Sequence, residues 1–173
     1  MAIIRKVKGI APVFGEACFL ADNATVVGDV VMGDRCSIWF NAVVRGDVHS
    51  IRIGNNVNIQ DGAIIHCTYQ KAPVEIGDNV SIAHNAIVHG CTIRDNVLVG
   101  MGSILMDDVI VESNSIIAAG AVVSKGTHIE SGSVWAGIPA KKIKDIDEHL
   151  LKGEVNRISD AYTMYASWYD KED

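Results

Sequence analysis

An aliphatic side chain returns every sixth residue through most of this chain, and few architectures tolerate that period. The anchors run Leu20, Val26, Met32, Ile38, Val44, then Ile53, Ile59, Ile65, then Ile76, Ile82, Val88. After one dropped residue they continue unbroken through Ile93, Val99, Leu105, Val111, Ile117, Val123 and Ile129. Four places after most anchors stands a small or β-branched residue, such as Ala24, Val30, Cys36, Ala42, Ala63, Ala86, Ser103 or Ala121. Turn formers lie between, as in Gly33-Asp34, Gly54-Asn55 and Gly77-Asp78. An amphipathic helix repeats at about 3.6 residues and an ordinary strand at about 2, so neither gives this pattern. A short strand plus a tight corner, three to a coil, does. It gives about eighteen residues per coil of a triangular β-solenoid, with coils stacked at roughly 4.8 Å and the anchors filling the interior.

Composition agrees. Valine and isoleucine number 43 against 5 leucines, which suits strands and excludes a helix bundle or coiled coil. Charged residues at 21% and hydrophobic ones at 49% exclude disorder. The 173 residues fit a single domain. A net charge of −6 argues against phosphate backbones or anionic membranes as main partners. No apolar run approaches the ~20 residues of a membrane span, and the start lacks the apolar core of a signal peptide. Four cysteines without CxxC spacing point to a reducing, cytoplasmic compartment. Cys18 and Cys36 read as core filler; Cys67 and Cys91 flank the histidine region, where a redox-sensitive Cys67 is the lesser reading.

The repeat is clearest over 14–135 and fades at Trp135-Ala-Gly-Ile-Pro-Ala-Lys141, so the solenoid is expected to occupy 1–141. In 142–173, which belongs to the same domain, Leu151, Val155, Ile158, Tyr162, Tyr165 and Tyr169 are spaced as one stripe of an α-helix. That helix should lie along an outer face of the solenoid. The acidic end Asp170-Lys-Glu-Asp173 should be solvated.

Stepping the anchors around a triangular coil sorts the polar residues by face. Let each interruption replace one corner without skipping a side. Ile59 and Ile82 then fall on face A, Val44, Ile65 and Val88 on face B, and Ile53 and Ile76 on face C. His66 and His89 each follow a face B anchor by one residue, so they stack with side chains outward; His84 belongs to another face. A tetrahedral metal can take the stacked pair, but a third histidine from a different side of a rigid prism requires a second chain. Face A of one chain against face B of the next would close a cyclic trimer with three such sites. Were the long interruption to span two sides, this convergence would fail. Arg45 on face B could pair across that contact with Asp61, Asp47 would hold Arg45, and Gln60 would point at the metal pocket. Asn58 is placed to satisfy a corner backbone. There is no Ser-His-Asp spacing, Walker loop or dinucleotide fingerprint.

At these residues the sequence resembles the γ-class carbonic anhydrase family. The matching pieces are Val44-Arg-Gly-Asp47, Asn58-Ile-Gln-Asp-Gly62 with His66, and Asn79-Val-Ser-Ile-Ala-His-Asn-Ala-Ile-Val-His-Gly-Cys-Thr92. Gly100-Met-Gly102 and Ala136-Gly-Ile-Pro-Ala-Lys141 match as well. The resemblance implies a left-handed parallel β-helix with a C-terminal α-helix packed on its side. It implies a homotrimer with zinc, or iron or cobalt, held by His66 and His89 of one subunit and His84 of the next. The implied reaction is reversible hydration of CO2 to bicarbonate, the metal lowering the pKa of bound water so that hydroxide exists near neutral pH. Gln60, Tyr162 and Asn58 become the candidate catalytic residues, with Gln60 orienting hydroxide or substrate. Arg45, Asp47 and Asp61 support the subunit contact.

The chain departs from the family prototype in lacking the glutamates used there to move protons to bulk. Val48-His49 and the short Thr68-Tyr-Gln-Lys-Ala-Pro-Val-Glu75 stand in their places, leaving His49 as a candidate shuttle. Two other functions share the repeat. One is a hexapeptide acyltransferase or acyl-CoA thioesterase; the other is an inactive, metal-stabilised scaffold.

Overall fold

The computed structural model describes residues 1–169, so the acidic end at 170–173 lies outside the described residues. The chain is a left-handed parallel β-helix closed on one side by a single C-terminal helix. All three columns of anchors appear in the strand registers. Leu20, Ile38, Ile59, Ile82, Val99, Ile117 and Trp135 stack on face A. Val26, Val44, Ile65, Val88, Leu105 and Val123 stack on face B. Met32, Ile53, Ile76, Ile93, Val111 and Ile129 stack on face C. Each interruption of the period therefore consumes one corner and skips no side. Faces B and C merge into one twelve-stranded sheet because the strands Thr25–Met32 and Val43–Ile53 bend through the corner between them.

The interior is narrow, which explains the bias toward β-branched anchors. Ile65, Ile82 and Val88 are fully buried, and so are the intervening slots Ala63, Ala86 and Ser103. The corners are turned by left-handed residues, many of them asparagine: Asn41, Asn56, Asn79, Asn85, Asn96 and Asn114 all have positive φ. Asn56, Asn79 and Asn96 also bond side chain to side chain up one corner, at 2.9 and 3.2 Å. Ile65→Ala should cost ~2–5 kcal/mol, because a rigid stack cannot collapse into the cavity. Denaturant unfolding of the variant measures this, and a loss below ~1 kcal/mol would contradict a close-packed interior.

At the end of the solenoid the chain does not leave the sheet at Lys141. It turns at Gly137–Pro139 and runs back antiparallel as Ala140–Asp145 against Ser133–Gly137. Lys142 secures the returning strand with bonds to Glu130 (2.9 Å) and Asp145 (2.7 Å). The sheet thus passes the expected boundary at 141, and the helix starts at Glu148. Its turn Leu151–Asn156 is π-helical before the α-helix Arg157–Ala166, so the buried positions are Val155 and Ser159. Ser159 and Thr163 bond to the Asn56 corner at 2.8 and 2.9 Å, and Tyr162 packs edge-on to Trp39 at 5.2 Å. These contacts lay the helix along face A. Among the described residues no helix is long and apolar enough to cross a membrane.

Candidate metal centre

His66 and His89 occupy register partners on adjacent coils, with Arg45 the partner of His66 on the coil before. Their outward rings face each other, His66 Nδ1 lying 3.2 Å from His89 Nε2. The nitrogens turned away are each bound to a carboxylate. His66 Nε2 lies 3.2 Å from Asp47 Oδ1, and His89 Nδ1 lies 2.6 Å from Asp107 Oδ1. Burial alone would raise both carboxyls, but hydrogen bonding outweighs it and holds both below the usual carboxylate range. Arg45 and His66 do this for Asp47, and Thr68 and His89 for Asp107. Burial pulls His66 below the usual histidine range despite Asp47, which favours the neutral ring.

The two carboxylate contacts have a chemical consequence. A carboxylate only accepts, so a ring in its neutral form places its single N–H on the carboxylate side. The two facing nitrogens are then both lone pairs, 3.2 Å apart. Two lone pairs repel, and a cation between them removes the conflict. Bonds of about 2.0–2.1 Å at the tetrahedral angle put two nitrogens about 3.3–3.4 Å apart, close to the observed separation.

His84 lies in the turn that leaves face A, two places after Ile82, and it too has a carboxylate on one ring nitrogen. Its Nδ1 is 3.0 Å from Asp61 Oδ2 and its Nε2 is 3.3 Å from the Tyr162 hydroxyl. Burial first, then the Asp61 and Tyr165 charges, pushes Tyr162 up to about 12, so it stays protonated and donates to His84. Among the described residues no three His, Cys, Asp or Glu side chains of one chain converge as a metal group.

Arg45 bonds Asp47 within the chain at 2.5 Å, and Asp61 is engaged by His84, not by Arg45 of its own subunit. Gly46 between Arg45 and Asp47 is required by packing, since a Cβ there would meet the Asp29 carbonyl oxygen at 2.5 Å. Asn58 does not serve a corner backbone. It lies within a strand, is buried, donates to Ser81 Oγ (2.7 Å) and accepts from Gln60 Nε2 (2.9 Å), so it pins the glutamine. Cys67 is buried, and burial pushes its thiol up to about 11, leaving little thiolate to react. Asp107 and Thr68 were not singled out by the spacing. Their only sequence signal is position, because Asp107 follows His89 by one coil length.

Between the helix and face A lies a cleft of about 400 Å³. Gln60, His84 and Tyr162 line it together with apolar Leu98, Ile116 and Ile158.

The comparisons with known proteins agree with this fold. The bacterial transferase hexapeptide family model matches residues 11–46 and 90–125, and the succinyl-transferase hexapeptide repeat matches 73–106. A protein named carbonic anhydrase from Geobacillus kaustophilus is 40% identical over 94% of this chain and 88% of its own length. The chain belongs to the γ-carbonic anhydrase-like family of hexapeptide-repeat proteins. Protein YrdA of Escherichia coli is 37% identical over 98% of this chain and 93% of its own length. A solved hexapeptide transferase family protein from Anaplasma phagocytophilum superposes with a TM-score of 0.92 at 36% identity, covering 96% of this chain and 98% of that one. Names of both kinds, anhydrase and transferase, thus occur among proteins similar to this γ-carbonic anhydrase-like chain.

Proposed function

We propose that the chain is a metal-dependent carbonic anhydrase, hydrating CO2 reversibly to bicarbonate at sites between the subunits of a homotrimer. The observation that carries this reading is the stacked pair of outward imidazoles at His66 and His89, whose facing nitrogens lie 3.2 Å apart while a carboxylate holds the far nitrogen of each ring. Imidazole donors suit zinc, iron or cobalt, and do not suit magnesium or calcium. His66 and His89 would hold the ion from one subunit, and the partner subunit's His84 from the other. A divalent cation there supplies Lewis acidity, which makes hydroxide available near neutral pH.

The chain's own residues do the rest. Asp47 and Asp61 each hold the far nitrogen of one ring, His66 and His84. Asn58 accepts from one of the two Gln60 amide N–H groups and so orients the amide, leaving its oxygen to accept from a water. Tyr162 keeps its proton and lines the cleft beside His84, and its hydroxyl would release His84 Nε2 when that nitrogen takes the ion.

The trimer is supported by face B. Outside the anchors, Val43, Ile64, Ile87, Ile104 and Val122 form one apolar column by register, directly beside the histidine stack. Ile64 is 41% exposed in the single chain. Packing this column on face A of the next subunit buries it and closes a three-fold ring. Arg45 and Asp61 side chains both remain 42% exposed and can meet across that contact.

The deciding experiment measures metal content and CO2 hydration on one anaerobically purified sample. About one ion per chain is expected, with hydration lost on chelation and restored by zinc, iron or cobalt. A fully loaded trimer with no hydration above that of chelated protein would overturn the reading.

One observation favours a second reading. The cleft beside His84 is far larger than a three-atom substrate needs and is mostly apolar. An acyl-CoA thioesterase or acyltransferase would use that volume for an acyl chain. Binding of acetyl-CoA that survives chelation would favour this class. Tightly ordered metal closed to water would favour the inactive scaffold.

A further inference from the structure

Asp107 lies two residues past the anchor Leu105, in a corner that looks like any other acidic turn of the solenoid. Its carboxylate nevertheless reaches back to the preceding coil. Oδ1 accepts from His89 Nδ1 at 2.6 Å, and Oδ2 accepts from the Thr68 hydroxyl at 2.6 Å. With both oxygens engaged, the carboxylate cannot rotate away. Thr68 comes from the loop that breaks the six-residue period between Ile65 and Ile76, and that loop is closed by the Thr68–Ala72 bridge.

Gly90 makes the reach sterically feasible. A Cβ there would strike Asp107 Oδ1 and come within 2.7 Å of Ala72 Cβ, and its φ of +54° disfavours other residues as well. Three separate local features, a corner acid, a loop threonine and a glycine after the histidine, therefore converge on one ring nitrogen. On the opposite side of the stack, Asp47 holds His66 and is itself held by Arg45. The histidine pair is bracketed by a carboxylate on the coil before it and another on the coil after it.

We propose that Asp107, anchored by Thr68 and given room by Gly90, is a positioning residue that fixes His89 as the Nδ1–H tautomer and turns its Nε2 lone pair toward His66. The partner of one ring nitrogen sets which nitrogen carries the proton. A carboxylate on Nδ1 selects the form whose Nε2 can ligate. The consequence for metal affinity rests on the function proposed above; the hold on the ring does not.

The test has two readouts. Histidine-selective 15N NMR of the chelated protein, at a pH where the rings are neutral, reads the tautomer of His89. Wild type should show Nδ1–H, and Asp107→Ala should move the ring to Nε2–H. Zinc affinity of Asp107→Ala should fall ~10–100-fold. Thr68→Val, which frees one carboxylate oxygen, should lose less than ~10-fold. The Asp107 side chain is on a corner, 21% exposed, and contributes to no anchor column. Should the alanine variant not fold, Asp107→Leu keeps the bulk and removes both acceptor oxygens, and the same loss of affinity is expected. An unchanged tautomer, or a changed one with zinc affinity within about twofold of wild type, overturns the proposal. If wild type itself binds no zinc, the metal reading fails, and the tautomer comparison on chelated protein still decides whether Asp107 sets the ring.

Discussion

His89→Ala should purify as a folded chain holding less than about a tenth of the wild-type metal, with CO2 hydration down more than ~100-fold. A zinc site of catalytic type needs three protein ligands, and this substitution removes one of the two that a single subunit can supply. The fold should tolerate the change, since the ring points outward from Val88, which remains in its column. The lost Asp107 contact is offset by relief of the lone-pair conflict with His66. Chelated variant and chelated wild type should therefore agree in stability within about 1 kcal/mol. The metal dependence should differ sharply. Zinc at ~1,000 times its Kd stabilises wild type by about 4 kcal/mol through mass action, and His89→Ala should gain almost nothing. Thermal unfolding with and without zinc measures this directly. A variant that keeps full metal and the full zinc-induced rise in Tm would show that the stacked pair is not the binding site.

The geometry behind that prediction was legible from spacing because a six-residue coil converts position into place. Once Val44, Ile65 and Val88 share a column, the residues after them must share one too, which puts His66 on His89 and Arg45 before them. His84, two places after Ile82, must fall elsewhere. What escaped the spacing has three physical causes. Asp107 acts across coils, its short carboxylate lying close against Gly90 of the preceding one, and Asp107-Asp108 reads as an ordinary turn unless that approach is known. Cys67 lies where the period is broken: the slot four places after Ile65 falls on exposed Tyr69, while the loop carries Cys67 inward instead. The cleft depends on how the helix sits on face A, and the tyrosine stripe gives the buried side of the helix but not its height along the solenoid. A π-helical turn then moves the deepest contacts to Val155 and Ser159.

The division of ligands between two faces also fixes how inactive chains should combine. A site needs His66 and His89 from one subunit and His84 from the next. His84→Ala spoils only what a chain offers from face A, and His89→Ala only what it offers from face B. Each variant alone should be inactive, whatever its assembly state. Coexpressed in equal amounts, they should form mixed trimers. A contact is complete when its face B comes from the His84→Ala chain and its face A from the His89→Ala chain. Random assembly makes that combination in about one quarter of contacts, so hydration and metal content should both return to about one quarter of wild type. No arrangement with all three ligands inside one chain can give this recovery, since every chain in the mixture then lacks a ligand. A mixture of His66→Ala with His89→Ala is the control, because both defects lie on face B and no contact can be complete. Recovery in the first mixture and none in the second is the expected result. Two inactive mixtures, with mixed trimers demonstrated by mass, would remove the shared site.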